Sequence, residues 1–531
     1  MELLQALSIL SKSSPFAVST ERAEEDAQLS TYKNYIYIQT DIEQDFKKSL
    51  LKSGNHDIVF LCGSSGDGKS EILTRYSRDY RSTKDFHLDA THAFVPSQTA
   101  IQALDEKFTQ FKANSKPLII GINIGMLGNY AEEGADEHQD IKDSIKAFLS
   151  NEVESIPYNH TYLDFEKYPK FCFEDNVGKS DFTELFLQRL TEPDLKNPFY
   201  ALYSYELQKK TNSRLLTNFA LLSNPSVQRT IVELLLKARL IKDQFLTARA
   251  LLDFVFQIVA MDGYLFDNLF TATNNEILEQ IRSFDPSANH TKHIDEFILE
   301  FSLGMENSSY AELKTKLNTF GIFDIPTPKS MLRALYVLKS DDDFLNEFSS
   351  KLIEDFDNQL VDRYAYVWSL HDGFNANQEY RRELNHFYRD VLVPAIHRYC
   401  NRNSPNLDKD AYFVNEFNEF KVAVELDVRA DFTQLKLQPK AKIGVFNAFL
   451  QINSKPIKPV AININLFELL EKINQGYRPN KHDKNAVLQL EDVVEQIVAI
   501  STEEGTLHIF SSENKYKITN EDGEYFEVSG I

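Results

Sequence analysis

The sequence is poor in cysteine: Cys62, Cys172 and Cys400 are an odd number, far apart, with no short metal-ligand spacing. That pattern gives no support to a disulfide framework or a structural zinc site and fits a reducing compartment, with the thiols in ordinary core positions. Long apolar runs are also missing, since no stretch of roughly eighteen residues is free of charge. The most apolar helix candidate, containing Leu251 and Leu252, is interrupted by Asp253 and Asp262. The opening Met1-Glu2-Leu3-Leu4-Gln5 lacks the basic region and cleavage site of a secretory signal. A cytoplasmic protein without membrane contact is therefore expected. Positive charge is scarce, with 57 Lys plus Arg against 79 Asp plus Glu and a formal charge of −22. A surface of this sign repels nucleic acid, so any DNA contact should be local or delegated to a partner. Tandem repeats, long low-complexity linkers, a Ser-His-Asp hydrolase pattern and a convincing metal-nuclease motif are absent as well.

What is present is a loop. Gly63-Ser64-Ser65-Gly66-Asp67-Gly68-Lys69-Ser70 follows the apolar run Ile58-Val59-Phe60-Leu61-Cys62, and its spacing is that of a phosphate-binding loop between a strand and a helix. Glycines let successive backbone N–H groups approach a phosphate. Lys69 can reach the outer phosphates, Ser70 can offer its hydroxyl to magnesium, and the helix starting there points its positive end at the anion. The candidate nucleotide contacts are Gly63, Ser64, Ser65, Gly66, Asp67, Gly68, Lys69, Ser70 and Glu71, with ATP and Mg2+ as the expected ligands.

A chain of 531 residues exceeds one ordinary hydrophobic core. Five segments are read: an approach segment at 1–30, an α/β nucleotide domain at 31–200, a helical lid at 201–310, a helical domain at 311–405 and an α+β partner-binding module at 406–531. The first segment should hold a short amphipathic helix stopping near Ser13, and 35–52 a second helix. Strands are expected at 57–62, 86–90, 117–123 and 162–165, and helices at 70–80, 98–111, 140–149 and 181–190. Such alternation implies a parallel sheet covered by helices, here a P-loop NTPase core of AAA-like type. Helices at 227–237 and 247–259 would build the lid. The aromatic stretch Tyr364-Ala365-Tyr366-Val367-Trp368 reads as core packing, and strands are expected at 419–426, 442–445, 507–510, 515–518 and 524–528, with a helix at 467–473.

An ATPase also needs an acidic group near its magnesium and a polar group to place water. Asp89, at the end of the strand after the loop helix, is the candidate metal ligand together with Ser70; the alternative is a cap of the turn through Thr91 and Pro96. Asn123, ending the next strand, is a candidate sensor of the terminal phosphate, or else stabilises the following loop through its backbone. Glu132 and Glu133 either polarise water or form a solvated helix start. Arg249, opening a lid helix, is a candidate terminal-phosphate contact, and Arg189 a weaker one. An arginine from a neighbouring copy in a homo-oligomer is a further source of that charge. The candidate catalytic set is thus Lys69, Asp89, Asn123 and Arg249. His87 and His92 flank Asp89 without making a nuclease, and the basic stretch from Lys472 to Lys484 either touches phosphate or is a solvated loop.

From Leu61 through Asn129 the chain resembles the F component (DptF) family of DNA phosphorothioation-dependent restriction systems. The resemblance lies in Leu61-Cys62-Gly63-Ser64-Ser65-Gly66-Asp67-Gly68-Lys69-Ser70-Glu71, in His87-Leu88-Asp89-Ala90-Thr91-His92, and in Gly121-Ile122-Asn123-Ile124-Gly125-Met126-Leu127-Gly128-Asn129-Tyr130. Outside that core it rests on overall length and on Asp164-Phe165-Glu166-Lys167-Tyr168-Pro169-Lys170-Phe171. The resemblance implies an ATP-dependent restriction subunit acting with the G and H components against DNA that lacks a sulfur modification, and leaves open which component cuts. It carries nucleotide roles onto Gly63, Gly66, Gly68, Lys69 and Ser70, and metal and sensor roles onto Asp89 and Asn123. The competing expectations are a nucleotide-regulated scaffold with negligible turnover and an AAA-like protein remodeller.

Overall fold

The computed structural model describes the chain apart from residues 15–26, 91–97, 115, 175–176, 210–212, 306–307, 357–358, 375–377, 405–406, 409, 438–443, 502–505, 512–513, 522–524 and 531. It divides into two compact units, Met1–Phe171 with Ser180–Phe356, and Cys172–Lys179 with Asp357–Ile531.

The first unit is built on a parallel sheet in the order β2-β3-β1-β4, where β1 is Ile58–Cys62, β2 Asp85–His87, β3 Leu118–Ile122 and β4 His160–Asp164. Central strands β1 and β3 are buried at every position, which explains why they read as unbroken apolar runs rather than alternating ones. Ile58, Phe60 and Cys62 pack on one face with Leu104 and Phe108 of α5 (Ala100–Ala113), Tyr130 of α6 (Ile124–Glu133) and Ile141 and Ile145 of α7 (Gln139–Leu149). Val59 and Leu61 pack on the other with Ile42, Phe46 and Leu50 of α3 (Asp41–Lys52) and Ile72 and Leu73 of α4 (Lys69–Tyr80). Phe60 stacks on Tyr162 with ring centroids 4.6 Å apart. Gly121 is needed where β3 passes the loop after β2, since a Cβ there would lie 2.8 Å from the Leu88 carbonyl oxygen and 2.5 Å from Leu73 Cδ1.

Short helix α1 (Leu3–Leu7) and α2 (Ala27–Ile36) precede this core, and α8 (Asp181–Thr191), α9 (Pro198–Gln208), α10 (Arg214–Leu222), α11 (Pro225–Ile241) and α12 (Ala248–Ala260) follow it. Further helices continue to Glu354 within the same unit. A mixed α/β core followed by an extensive helical region and smaller sheets is thus the fold.

The second unit contains the hairpin β5 (Cys172–Glu174) and β6 (Val177–Lys179), the helix Leu360–Asp372 and an antiparallel sheet of five strands. That sheet runs in the order Tyr525–Gly530, Lys515–Glu521, Thr506–Phe510, Phe420–Glu425, Ala411–Phe417. Tyr364 and Trp368 are buried, and both pack against Phe173 of the hairpin, so the aromatic stretch is core packing as expected.

Several boundaries differ from expectation. The helix expected at 35–52 is two, α2 and α3, separated at 37–40. Tyr37 and Ile38 disfavour helix by losing side-chain freedom, and Thr40 takes an extended cap conformation (φ −99°, ψ 162°) ahead of Asp41 and Glu43. Strand β2 stops at His87 rather than Ala90, so Asp89 lies in the following loop. Its last residue pairs with Ile120 of β3, its one neighbour. The helix expected from Phe467 begins at Ile464, where Asn463 caps it. Residues 442–443 of one expected strand and Glu524 of another lie outside the described residues; near the former, Val445 forms a bridge and the paired strand begins at Phe446. Cys62 and Cys400 are buried, but Cys172 is exposed on the hairpin. Among the described residues no helix is long and apolar enough to cross a membrane.

Phe60→Ala should remove about 3–5 kcal/mol from the first unit, because the cavity would be walled by two sheet neighbours and α5. Urea denaturation monitored by circular dichroism measures it.

Candidate functional site

The turn from β1 into α4 is tight because two glycines take left-handed backbone conformations, φ +88° at Gly66 and +108° at Gly68. Such angles are costly for other residues. Gly66 is also crowded: a Cβ there would lie 3.0 Å from Thr247 Oγ1 and 3.3 Å from Arg249 Cβ. Its carbonyl accepts the Arg249 backbone N–H at 3.1 Å. Thr247 caps α12, its hydroxyl accepting the Ala250 N–H at 3.2 Å. The first turn of α12 is therefore docked on the glycine loop, and the Arg249 Nε there is buried without a hydrogen-bond partner.

Lys69 folds back on the loop, donating to the carbonyl oxygens of Gly63 at 2.8 Å and Ser64 at 2.7 Å. Burial draws its ammonium below the ordinary lysine value, while Asp67 and Asp89 oppose that shift. The Asp67 carboxylate accepts the Ser64 N–H at 2.7 Å and the Lys170 ammonium at 3.0 Å.

Above the loop lies a cavity of about 430 Å³. Its polar wall contains Ser65 through Glu71, Asp89, Asn123 and Arg249. β3 lies between β1 and β2, so Asn123 and Asp89 reach the cavity from the ends of adjacent strands. The apolar wall is drawn from distant segments: Ile9 and Leu10, Ile36 and Ile38, Phe182 and Phe186 of α8, and Leu252 of α12. Buried Asp253 ties these together, accepting from the Lys12 N–H at 2.8 Å and from the Asn275 amide at 2.7 Å. Tyr37 is held by the Arg75 guanidinium 3.5 Å from its ring centroid and by a 2.6 Å bond to Glu43. Glu71 pairs with Arg75 at 2.9 Å and with Lys33 at 2.8 Å.

Ser64 and Gly63 belong to the loop without lining the cavity, whereas Lys69, Ser70, Asp89, Asn123 and Arg249 converge on it. Asn123 is followed by a helix and not by the loop of its alternative reading, and its side-chain oxygen accepts the Met126 N–H at 2.6 Å to cap α6. That uses the acceptor of the amide, and its NH2 is a separate donor. Glu132 and Glu133 are exposed in the last turn of α6, not at a helix start, and do not line the cavity. Asn123 caps the helix that the second reading began near Glu132, which places both carboxylates nearly three turns away. Arg189 is exposed and donates to the Tyr37 carbonyl instead of lining the cavity. His87 is buried, and burial with the neighbouring Lys107 ammonium pushes its imidazole down to about 4, leaving it neutral at pH 7. Thr91, His92 and Pro96 lie outside the described residues. Arg478 and Lys481 are exposed on a loop of the second unit, and Lys484 is exposed at the start of the helix Lys484–Ser501.

Sequence reasoning missed Ile9, Leu10, Ile38, Phe182 and Lys170. The signal for the last was available in part, since Lys170 falls inside the aromatic segment ending at Phe171.

Among the described residues no group of three or more His, Cys, Asp or Glu side chains is placed to hold a metal alone. Ser70 and Asp89, the expected magnesium ligands, both line the cavity, and magnesium characteristically takes few protein ligands beside waters and phosphate oxygens. Searches for a matching family model, curated protein or solved structure found none.

Asn123→Ala should cost about 1 kcal/mol through loss of the α6 cap. Chemical denaturation of the purified variant measures it.

Proposed function

We propose that this chain is an ATP-binding and ATP-hydrolysing protein with an AAA-like P-loop core, the α12 region acting as its lid. The observation that carries the reading is the convergence of Lys69, Ser70, Asp89, Asn123 and Arg249 on one cavity whose opposite wall is apolar. A nucleotide needs such a division, with polar donors at its phosphates and an apolar enclosure for its base. Lys69 would exchange its two carbonyl partners for phosphate oxygens, and the backbone N–H groups of the loop and the start of α4 would complete the cradle. Ser70 and Asp89 would hold magnesium, which supplies charge neutralisation between phosphates when bound. Arg249, with its buried unpaired Nε, would meet the terminal phosphate, and the Asn123 NH2 would donate to the same group or its attacking water.

The resemblance supplies the setting proposed for this activity: a cytoplasmic subunit of a phosphorothioation-dependent restriction complex that acts with G and H components against unmodified DNA. The net charge of −22 favours DNA contact that is local or made through those partners. Direct nuclease activity forms no part of the proposal.

One observation favours the second reading, a nucleotide-regulated scaffold. Of the carboxylates lining the cavity, Asp67 and Glu71 are held in ion pairs. With Asp89 serving the metal, none of the three is left to polarise water. Turnover would then depend on a partner or on another copy in a homo-oligomer.

Lys69→Ala should weaken binding of a fluorescent ATP analogue by about 100-fold or more, the loss of a charge-assisted phosphate contact in a partly buried site. Unchanged affinity would sink the site assignment. Phosphate release, measured for the protein alone and with G and H components plus modified or unmodified DNA, separates the two readings: stimulated turnover supports the ATPase, and binding without turnover supports the scaffold.

A further inference from the structure

An acid in the middle of a loop meant for anions is an electrostatic anomaly, and Asp67 is one. Its side chain is 4% exposed and its partner Lys170, more than a hundred residues later in the chain, is 15% exposed. One oxygen of Asp67 meets Lys170 at 3.0 Å and the other takes the Ser64 N–H at 2.7 Å. Gly63 leaves room for this arrangement, since a Cβ there would lie 3.1 Å from Asp67 Oδ2 and 2.9 Å from the Phe165 ring. Lys170 is itself fixed. Its ammonium lies 5.7 Å from the centroid of the Phe165 ring, and its carbonyl accepts the hydroxyl of buried Ser180 at 2.6 Å. Ser180 also caps α8, which carries Phe182 and Phe186 of the cavity wall. The same lysine thus ties the glycine loop to the point where the chain re-enters the first unit.

We propose that Lys170 is a positioning residue for phosphate binding: it neutralises Asp67, so that this carboxylate can hold the Ser64 amide and shape the loop without repelling the ligand. The proposal rests on the nucleotide reading above. Removing the lysine takes the ion-pair partner from a buried carboxylate beside the phosphate cradle, leaving only Lys69 to offset it, which opposes anion binding and strips the loop of its anchor. Removing both charges eliminates the repulsion, and an asparagine oxygen at position 67 can still accept the Ser64 N–H. A role limited to packing would not respond to the second substitution in this way.

The test compares wild type, Lys170→Met, Lys170→Arg, Asp67→Asn and the double variant Asp67→Asn/Lys170→Met, each checked by thermal melting. Affinities for ADP and a non-hydrolysable ATP analogue are read by calorimetry, and exchange at the Ser64 amide by hydrogen–deuterium mass spectrometry without ligand. Lys170→Met should lose about 10- to 100-fold in affinity for the triphosphate and speed exchange at Ser64. Lys170→Arg should retain most of the affinity, and the double variant should recover most of what Lys170→Met loses. Wild-type affinity in Lys170→Met, or a double variant as weak as Lys170→Met, overturns the positioning role while Lys69→Ala still tests the site. If the wild type binds neither nucleotide, the nucleotide reading falls and the phosphate-positioning role falls with it; Ser64 exchange then reports whether the Asp67 clamp exists on its own.

Discussion

The polar groups around the cavity are constrained by one turn. β1 is buried on both faces and can carry no functional group along its length, so its chemistry has to be delivered where the strand ends. The left-handed angles at Gly66 and Gly68 reverse the chain within a few residues and start α4 there. Backbone N–H groups that such a turn gathers cannot all be paired within it, and the surrounding side chains are arranged about that fact. Lys69 satisfies two loop carbonyls, Asp67 takes the Ser64 amide, and the α12 backbone takes the Gly66 carbonyl. Around the loop the cations Lys33, Lys69, Lys170 and Arg249 face the carboxylates Asp67, Glu71 and Asp89. A protein with a formal charge of −22 therefore brings as many cations as carboxylates to this cavity, and burial makes that local balance count for more than the distant surface charge.

The opposite wall of the cavity shows how far a chain must travel to enclose a ligand. Residues 9 and 10, 36 and 38, 182 and 186, and 252 contribute side chains to one enclosure. Each closure of that kind has an entropic cost that grows slowly with loop length, and buried polar ties offset it. Asp253 receives the Lys12 backbone and the Asn275 amide at once, so the N-terminal turn and the helix bearing Arg249 are fastened together. Arg75 performs the same service at the other edge, bonding Glu71 next to the loop and stacking on Tyr37 beside the apolar wall. Groups that would contact a phosphate and groups that would contact a base are in this way parts of one network.

Legibility in the sequence followed the number of neighbours each segment has. β1, β3 and the glycine loop could be read because strands buried on both faces must be apolar throughout, and because left-handed turns select glycine. β2 was read too long since an edge strand has one partner, and its apolar and polar residues do not register where pairing stops. The break at 37–40 was missed because Ile36, Tyr37 and Ile38 continue a helical pattern of apolar residues; the extended cap at Thr40 ends it, and the Arg75 and Glu43 contacts hold Tyr37 in the break. Asn123 was legible as a polar residue at a strand end, though its capping geometry depends on where α6 starts. Lys170 was invisible as a partner of Asp67, because nothing in local spacing announces an ion pair between residues so far apart.

The ion pairs also bear on what kind of nucleotide protein this geometry suits. A site that hydrolyses a nucleotide needs a group to orient or polarise the attacking water, a carboxylate or an amide side chain, in addition to the ligand serving magnesium. Here Glu71 is drawn off by Lys33 and Arg75, Asp67 by Lys170, and Glu132 and Glu133 stand outside the cavity. The polar groups that do converge, Lys69, Asn123 and Arg249, are donors suited to recognising phosphate, and donors stabilise a bound nucleotide as readily as its transition state. On the nucleotide reading proposed above, the groups that would grip phosphate belong to this chain, whereas among the described residues the carboxylates lining the cavity besides Asp89 are held in ion pairs, so the proposal ties turnover to a partner or a second copy.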